Sequence, residues 1–354
     1  MTAQMIQLGP YLLGRTSPPL IVAELSGNHQ HSLHRVLELV ETAKDCGVQA
    51  IKLQTYTPDT ITLQVNREEF FIHNSNSLWK GRHLYELYEE AHLPWEWHQP
   101  IFAHCQALGL LCFSTPFDET AVDFLEELQT PCYKIASPEI VDHGLIQRVS
   151  STGKPVILST GAATLLEIAE AVSVARHAGC QDLILLKCTA AYPALPQDAH
   201  LRTIPHLAET FGALVGLSDH TLGIGVAIAS VALGACIIEK HFTLSRNERG
   251  VDSAFSMEPL EMTLLVEETR RAWEGLGSIH YAPLVSEFVA HSHRPSLYFV
   301  EDIERGVTIT AHHIRSVRPG NGLHPKELPH LIGLKLMQNV NKGTAVSWDV
   351  FKCE

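Results

Sequence analysis

Two histidines, His220 in the run LVGLSDH (residues 214–220) and His241 in IIEKHFT (residues 237–243), each close an apolar stretch and stand one repeat apart. Imidazoles at equivalent places in neighbouring repeats can converge on one divalent ion, the other coordination positions being left to water, substrate or a carboxylate. Glu239 precedes His241 by two positions and so shares its face of an extended strand, where it could orient that ligand or join it. The bland alternative is a pair of ordinary hydrogen-bonded histidines. Lys52 and Lys134 lie inside apolar runs, where an ionised group needs a partner or a function. Either they pair with a neighbouring acid such as Glu24, or, with Ser137, Ser159 and Ser218, they hold a phosphorylated, carboxylated small molecule. Lys187 is a third lysine of this kind and could instead pack outside.

These residues share one address, the polar end of a short apolar run. LIVAEL (20–25), AIKLQT (50–55), LLCFST (110–115) and CYKIAS (132–137) begin a series continued by PVILST (155–160), LILLKC (183–188), LVGLSDH and IIEKHFT. Near-continuous hydrophobicity is the mark of parallel strands covered on both faces. The segments between them, such as SLHRVLELVETAKDCG and TLLEIAEAVSVARHAG, have helical spacing and end at glycine, where a left-handed cap is needed. Eight strand–helix units in about 255 residues predict an α/β fold, a (β/α)8 TIM barrel, whose reactive groups gather at the C-terminal strand ends. A doubly wound open sheet is the rival, but no GxGxxG follows the first strand.

Residues 1–275 are therefore assigned to the barrel, 276–295 to a linker, and 296–354 to a small β-rich module whose core would be thin on its own. The connection over residues 56–96 is too long for an ordinary loop and is expected to be an insertion on the substrate side. The chain has 354 residues and a formal net charge of -13, which argues against nucleic-acid or anionic-membrane partners. An anionic substrate would need a local cluster of cations. Eight cysteines, at 46, 105, 112, 132, 180, 188, 236 and 353, form no CxxC pair and are expected as core residues in a reducing compartment. With no bilayer-spanning apolar run and no leader pattern, the expected location is cytoplasmic.

The motifs AELSGNH, KLQTYTPD, FSTPFDETAVDFLE, YKIAS, GLSDHTLG, EKHFTL and RPGNGL, in this order over nearly the whole chain, resemble the N-acylneuraminate synthase family. These are sialic acid synthases with a C-terminal antifreeze-like (SAF) domain. The insertion WKGRHLYELYEEAHLPWEWH resembles the family's pseudaminic acid branch, whose members condense phosphoenolpyruvate with 2,4-diacetamido-2,4,6-trideoxy-L-altropyranose. The resemblance implies His220 and His241 as ligands of a divalent metal, usually Mn2+, with Mg2+ or Co2+ as alternatives. It implies Lys52, Thr115, Lys134, Ser137, Ser159 and Ser218 as phosphoenolpyruvate contacts. Gln54, Tyr192 and Asp252 would surround the acceptor sugar, with Glu24 and Glu139 at the reacting centre. Arg318, in RPGNG, would reach the active site of the partner in a domain-swapped homodimer. One departure is Ala190, where sialic acid synthases carry an asparagine that touches phosphoenolpyruvate.

The implied chemistry joins C3 of phosphoenolpyruvate to a sugar aldehyde and then adds water at C2, with Glu139 assigned to the water and Glu24 to sugar hydroxyls. Leu78, Trp79, Tyr85 and Leu87 of the insertion would cover an acetamido methyl and a deoxy carbon, although Tyr85 and Leu87 could equally pack within the insertion. The alternatives are an N-acetylneuraminate or N,N'-diacetyllegionaminate synthase, a Schiff-base aldolase using Lys134 or Lys187, and a non-catalytic sugar-binding protein.

Overall fold

The computed structural model describes residues 5–74, 77–248 and 250–352. It opens with a short antiparallel hairpin, β1 (Ile6–Leu8) and β2 (Tyr11–Leu13). Each of the eight apolar runs then forms a strand: β3 (Leu20–Glu24), β4 (Ala50–Thr55), β5 (Leu111–Pro116), β6 (Tyr133–Ile135), β7 (Val156–Ser159), β8 (Leu183–Cys188), β9 (Leu214–Ser218) and β10 (Ile237–His241). All pair in parallel, and β10 closes on β3 with His241 opposite Glu24, completing a (β/α)8 barrel.

The inner face of the barrel reads apolar first and polar last on most strands. Val22 precedes Glu24, Ala50 precedes Lys52, Phe113 precedes Thr115, Ile157 precedes Ser159, and Ile237 precedes Glu239 and His241. The apolar members form one buried cluster, which Ile6, Leu8 and Leu13 of the hairpin join, closing the N-terminal end of the barrel. The polar members are left at the open C-terminal end. On β9 the inner position is Gly216, where a Cβ would lie 2.5 Å from the Ile237 carbonyl oxygen, so close packing there requires glycine.

Outside, helices bury apolar stripes against the strands. The helix Leu33–Asp45 starts at Ser32, whose side chain accepts from the Arg35 N–H, and buries Val36, Leu39, Val40 and Ala43. The helix Leu165–His177 begins with a capping box between Thr164 and Glu167. No helix among the described residues is long and apolar enough to cross a membrane. Seven cysteines are free and buried, and Cys353 lies outside the described residues.

The chain divides into two compact units, Met1–Gly277 and Ser278–Glu354. The last helix of the first unit, Pro259–Leu276, ends at Gly277, which has φ 49°. Much of the stretch assigned to a linker, residues 276–295, falls in the second unit and includes a short helix, Phe288–Ser292. The second unit pairs β11 (Ser296–Phe299) with β12 (Ile314–Val317) in antiparallel fashion. Its core is fuller than the sequence suggested, with Leu297, Phe299, Ile309, Ile314, Leu331 and Leu336 among its buried residues.

Candidate active site

A cavity of about 480 Å³ opens at the polar end of the barrel. Lys52, Gln54, Lys134, Ser137, Glu139, Ser159, Tyr192, Ser218, His220, His241 and Asp252 all line it, so the structure brings most of the expected site residues together.

Glu24 and Thr115 are placed differently. Both are buried and absent from the cavity wall, and they meet the site through Lys52. Lys52 Nζ lies 2.6 Å from Glu24 Oε2, 3.0 Å from Glu239 Oε1 and 3.4 Å from Thr115 Oγ1. Burial alone would lower the Lys52 pKa, but the carboxylates of Glu239 and Glu24 outweigh it and hold the ammonium above its ordinary value. Lys52 is therefore both a buried ion-pair member and part of the cavity wall. Glu239 is engaged here and with the Ser218 hydroxyl, which donates to it at 3.3 Å, rather than with His241.

Lys134 differs from Lys52. Its ammonium donates at 3.3 Å to the carbonyl of Ile135 and has no ion-pair partner among the described residues. Burial pulls its pKa down. Beside it the Ser159 hydroxyl is buried with no hydrogen-bond partner among the described residues. Ser137 Oγ accepts from the Gly161 N–H at 3.0 Å, an approach that needs glycine because a Cβ would sit 2.7 Å from that oxygen. A poorly satisfied cation and an unbonded hydroxyl facing one space are what an anionic ligand would complete. Lys187 donates at 2.7 Å to the Cys188 carbonyl and does not line the cavity.

Glu139 sits in a helical turn, Pro138–Val141, just past β6. Burial raises its carboxyl to about 7, and Glu139 Oε2 has no hydrogen-bond partner among the described residues. A carboxyl poised there can give or take a proton near neutral pH. Asp252 is held by the Ser26 hydroxyl and, at 3.3 Å, by the Gly27 N–H, while Gln54 Nε2 donates to Ser26 Oγ at 3.1 Å. Ser26 therefore orients two of the expected sugar contacts from a left-handed backbone conformation, φ 43°.

The rings of His220 and His241 lie 5.3 Å apart. His220 Nδ1 is 2.9 Å from the Thr189 carbonyl, so that nitrogen carries a proton and, in the neutral ring, Nε2 has the lone pair. Burial holds His241 neutral, well below the ordinary imidazole value, and its Nδ1 is buried with no hydrogen-bond partner among the described residues. Burial would lower the His220 pKa too, but the Cys188 thiol and the Thr189 carbonyl outweigh it and raise it, so a divalent cation would bind this pair by displacing a proton from His220 and taking the orphaned nitrogen of His241, its other positions going to water or substrate. No group of three or more His, Cys, Asp or Glu residues among the described residues forms a protein-only metal site.

The insertion supplies the apolar wall. Trp79 and Leu87 line the cavity as expected, but Leu78 is half exposed and the Tyr85 hydroxyl turns to Asp59 at 3.2 Å. Leu84, Tyr88 and Ala91 stand there instead. The i, i+3, i+4, i+7 spacing of Leu84, Leu87, Tyr88 and Ala91 on the helix Leu84–Ala91 could have identified this face. Phe255 packs 4.9 Å from the His241 ring and 5.2 Å from Tyr192, and no periodicity pointed to it. Cys188, at an inward position two residues after Leu186, was legible from strand alternation. Arg318 stands in the second unit, exposed, just after β12.

Residues 39–281 match the NeuB family and residues 294–352 match the SAF domain. The pseudaminic acid synthase of Campylobacter jejuni is 40% identical over 94% of this chain and 96% of its own length. The N,N'-diacetyllegionaminic acid synthase of Legionella pneumophila is 35% identical over 95% of each chain. Among solved structures, the N-acetylneuraminic acid (sialic acid) synthetase of Leptospira borgpetersenii, in complex with citrate, is 34% identical with a TM-score of 0.71, covering 81% of this chain and 95% of that one.

Proposed function

The chain belongs to the NeuB family, an enzyme family of nonulosonic acid synthases, and from that premise we propose that it condenses phosphoenolpyruvate with 2,4-diacetamido-2,4,6-trideoxy-L-altropyranose, releasing phosphate. The observation that carries this reading is one cavity with a cationic, hydroxyl-rich floor, Lys52, Lys134, Ser137 and Ser159, and an apolar wall from the insertion. The floor suits a phosphate and a carboxylate. The wall suits acetamido methyls and a deoxy carbon better than the hydroxyl-rich face of N-acetylmannosamine.

In the proposed reaction Lys52 and Lys134 bind and orient phosphoenolpyruvate, with donors from Ser137, Ser159 and Ser218. Asp252, Gln54 and Tyr192 hold the open-chain sugar so that its C1 faces C3 of phosphoenolpyruvate. A divalent ion held by His220 and His241, Mn2+ or alternatively Mg2+ or Co2+, would supply Lewis-acid polarisation of the aldehyde. The new C3–C1 bond forms from the enol π electrons, the aldehyde oxygen takes a proton from solvent water, and C2 becomes electron-poor. Water then adds at C2, giving one proton to Glu139, and the tetrahedral centre collapses to a ketone as the C2–O bond to phosphate breaks and the remaining hydroxyl proton passes to the departing phosphate. Glu24, beneath the floor, acts by positioning Lys52.

Because burial raises Glu139 to about 7 in the free protein and it works as a carboxylate, kcat/KM should rise with pH through that region. Glu139→Gln should lose about 10²- to 10⁴-fold in kcat together with that limb. An unchanged limb in the variant would move the base elsewhere. Side-by-side kinetics test the acceptor: kcat/KM should be higher for the 2,4-diacetamido-6-deoxy sugar than for N-acetylmannosamine, and the reverse order would refute the branch while keeping the family.

The proposed working unit is a cytoplasmic, domain-swapped homodimer in which Arg318 of one subunit serves the sugar site of the other. Ile279, Tyr281 and Val285 are each more than 90% exposed, and with Phe288 they make an apolar stretch that supports a subunit contact.

A further inference from the structure

The backbone ladder between β9 and β10 ends at the pair Ser218–Glu239, with one further bond from the Asp219 N–H to the Glu239 carbonyl at 2.9 Å. Beyond that point side chains hold the two strands. Lys240 Nζ donates to Asp219 Oδ2 at 2.8 Å and to the carbonyls of Thr221 at 2.7 Å and Gly223 at 3.0 Å. Asp219 accepts in turn from the Thr221 N–H at 2.9 Å and the Thr221 hydroxyl at 3.1 Å. The side chains of Lys240 and Asp219 are each 2% exposed.

Their places in the sequence matter. Asp219 immediately precedes His220, and Lys240 immediately precedes His241. On extended backbone, neighbours point to opposite faces, so the histidines enter the cavity while the ion pair lies behind it. The pair touches neither substrate space nor the reacting groups, and a buried ion pair is a poor device for stability alone because desolvation offsets much of the attraction. What its geometry does achieve is specific: three donated bonds tie the loop 219–223 to β10 at the level of the two histidines.

We propose that the Lys240–Asp219 pair is a positioning device that sets the approach of His220 to His241 and thereby the affinity for a divalent cation. This rests on the reading of the two histidines as the metal-holding groups. Ligands need to be held close to their productive geometry by surrounding structure, and loosening such support costs about 10- to 100-fold in metal affinity.

The test is titration of the metal-free full chain with Mn2+ alone, and separately with phosphoenolpyruvate alone, for the unmodified protein, the double variant Lys240→Met/Asp219→Asn, and His220→Ala. The double variant removes both charges, so neither is left buried without its partner. Its Mn2+ dissociation constant should rise at least about tenfold while its phosphoenolpyruvate affinity, whose charged contacts Lys52 and Lys134 stand on other strands, stays within about twofold. Unchanged Mn2+ affinity would overturn the proposal, as would parallel losses for both ligands, which are the mark of a merely structural role. If His220→Ala also binds Mn2+ as the unmodified chain does, the metal reading itself falls and the positioning role with it. Should the double variant fail to fold, Thr221→Val, which removes one bond to Asp219 and leaves both charges, should weaken Mn2+ about threefold, and equal affinity would overturn the proposal.

Discussion

Lys134→Met is expected to raise the KM for phosphoenolpyruvate by about ten- to a hundredfold without loss of stability, whereas Lys52→Met is expected to destabilise the barrel by about 3–5 kcal/mol. Both lysines are buried in barrel strands and both line the cavity, so their difference lies in their partners. Lys134 has a single hydrogen bond, to a neighbouring carbonyl, and its replacement by a near-isosteric apolar stem removes a buried charge that no direct ion pair holds. What is lost is the charge-assisted bond to the ligand. Lys52 stands between Glu24 and Glu239, and without it two carboxylates face each other inside the protein. They would have to take up protons or unfold the site. Urea unfolding of the two variants, with phosphoenolpyruvate titrated into each folded form, separates the cases. A stable Lys52→Met, or an unfolded Lys134→Met, would reverse the assignment of which lysine is held by protein and which awaits the ligand.

That difference was not legible in the sequence, where both lysines look alike: a cation inside an apolar run. It depends on register, because Lys52 lies opposite Glu24 on the neighbouring strand and within reach of Glu239 on the next strand but one. The strands were legible because each is a short, continuous apolar run, and the site was legible because polar residues recur at their ends. The hairpin β1–β2 was not, since three-residue strands are too short to show a period. Alternation predicted which side of β10 His241 and Glu239 share, and it also implies that Lys240 faces the other way. Its partner Asp219 could be found only once the two strands were set side by side. On the insertion, helical spacing outperformed residue type: Tyr85 is aromatic but faces Asp59, while Leu84 and Tyr88 face the cavity.

Replacing either histidine should remove activity and leave the fold. His241 is already neutral, so His241→Ala loses packing against Phe255 without stranding a buried charge, and His220→Ala gives up one bond to the Thr189 carbonyl. If the pair holds a cation that contributes several kcal/mol at the reacting aldehyde, either change should cost about a thousandfold or more in kcat. A chelator should reproduce the loss in the unmodified enzyme, with Mn2+ restoring it. Full turnover by metal-free enzyme would end the Lewis-acid assignment. The same variant tests how the site is assembled. Arg318→Ala should be nearly inactive by weakening the sugar rather than phosphoenolpyruvate. In a domain-swapped dimer of His241→Ala with Arg318→Ala, one composite site has its histidines from one subunit and its arginine from the other. The second site lacks both. Random exchange between equal amounts of the two should therefore recover about a quarter of the unmodified activity, since half the dimers are mixed and each has one intact site. No recovery after confirmed exchange would mean that Arg318 acts within its own chain or takes no part in the reaction.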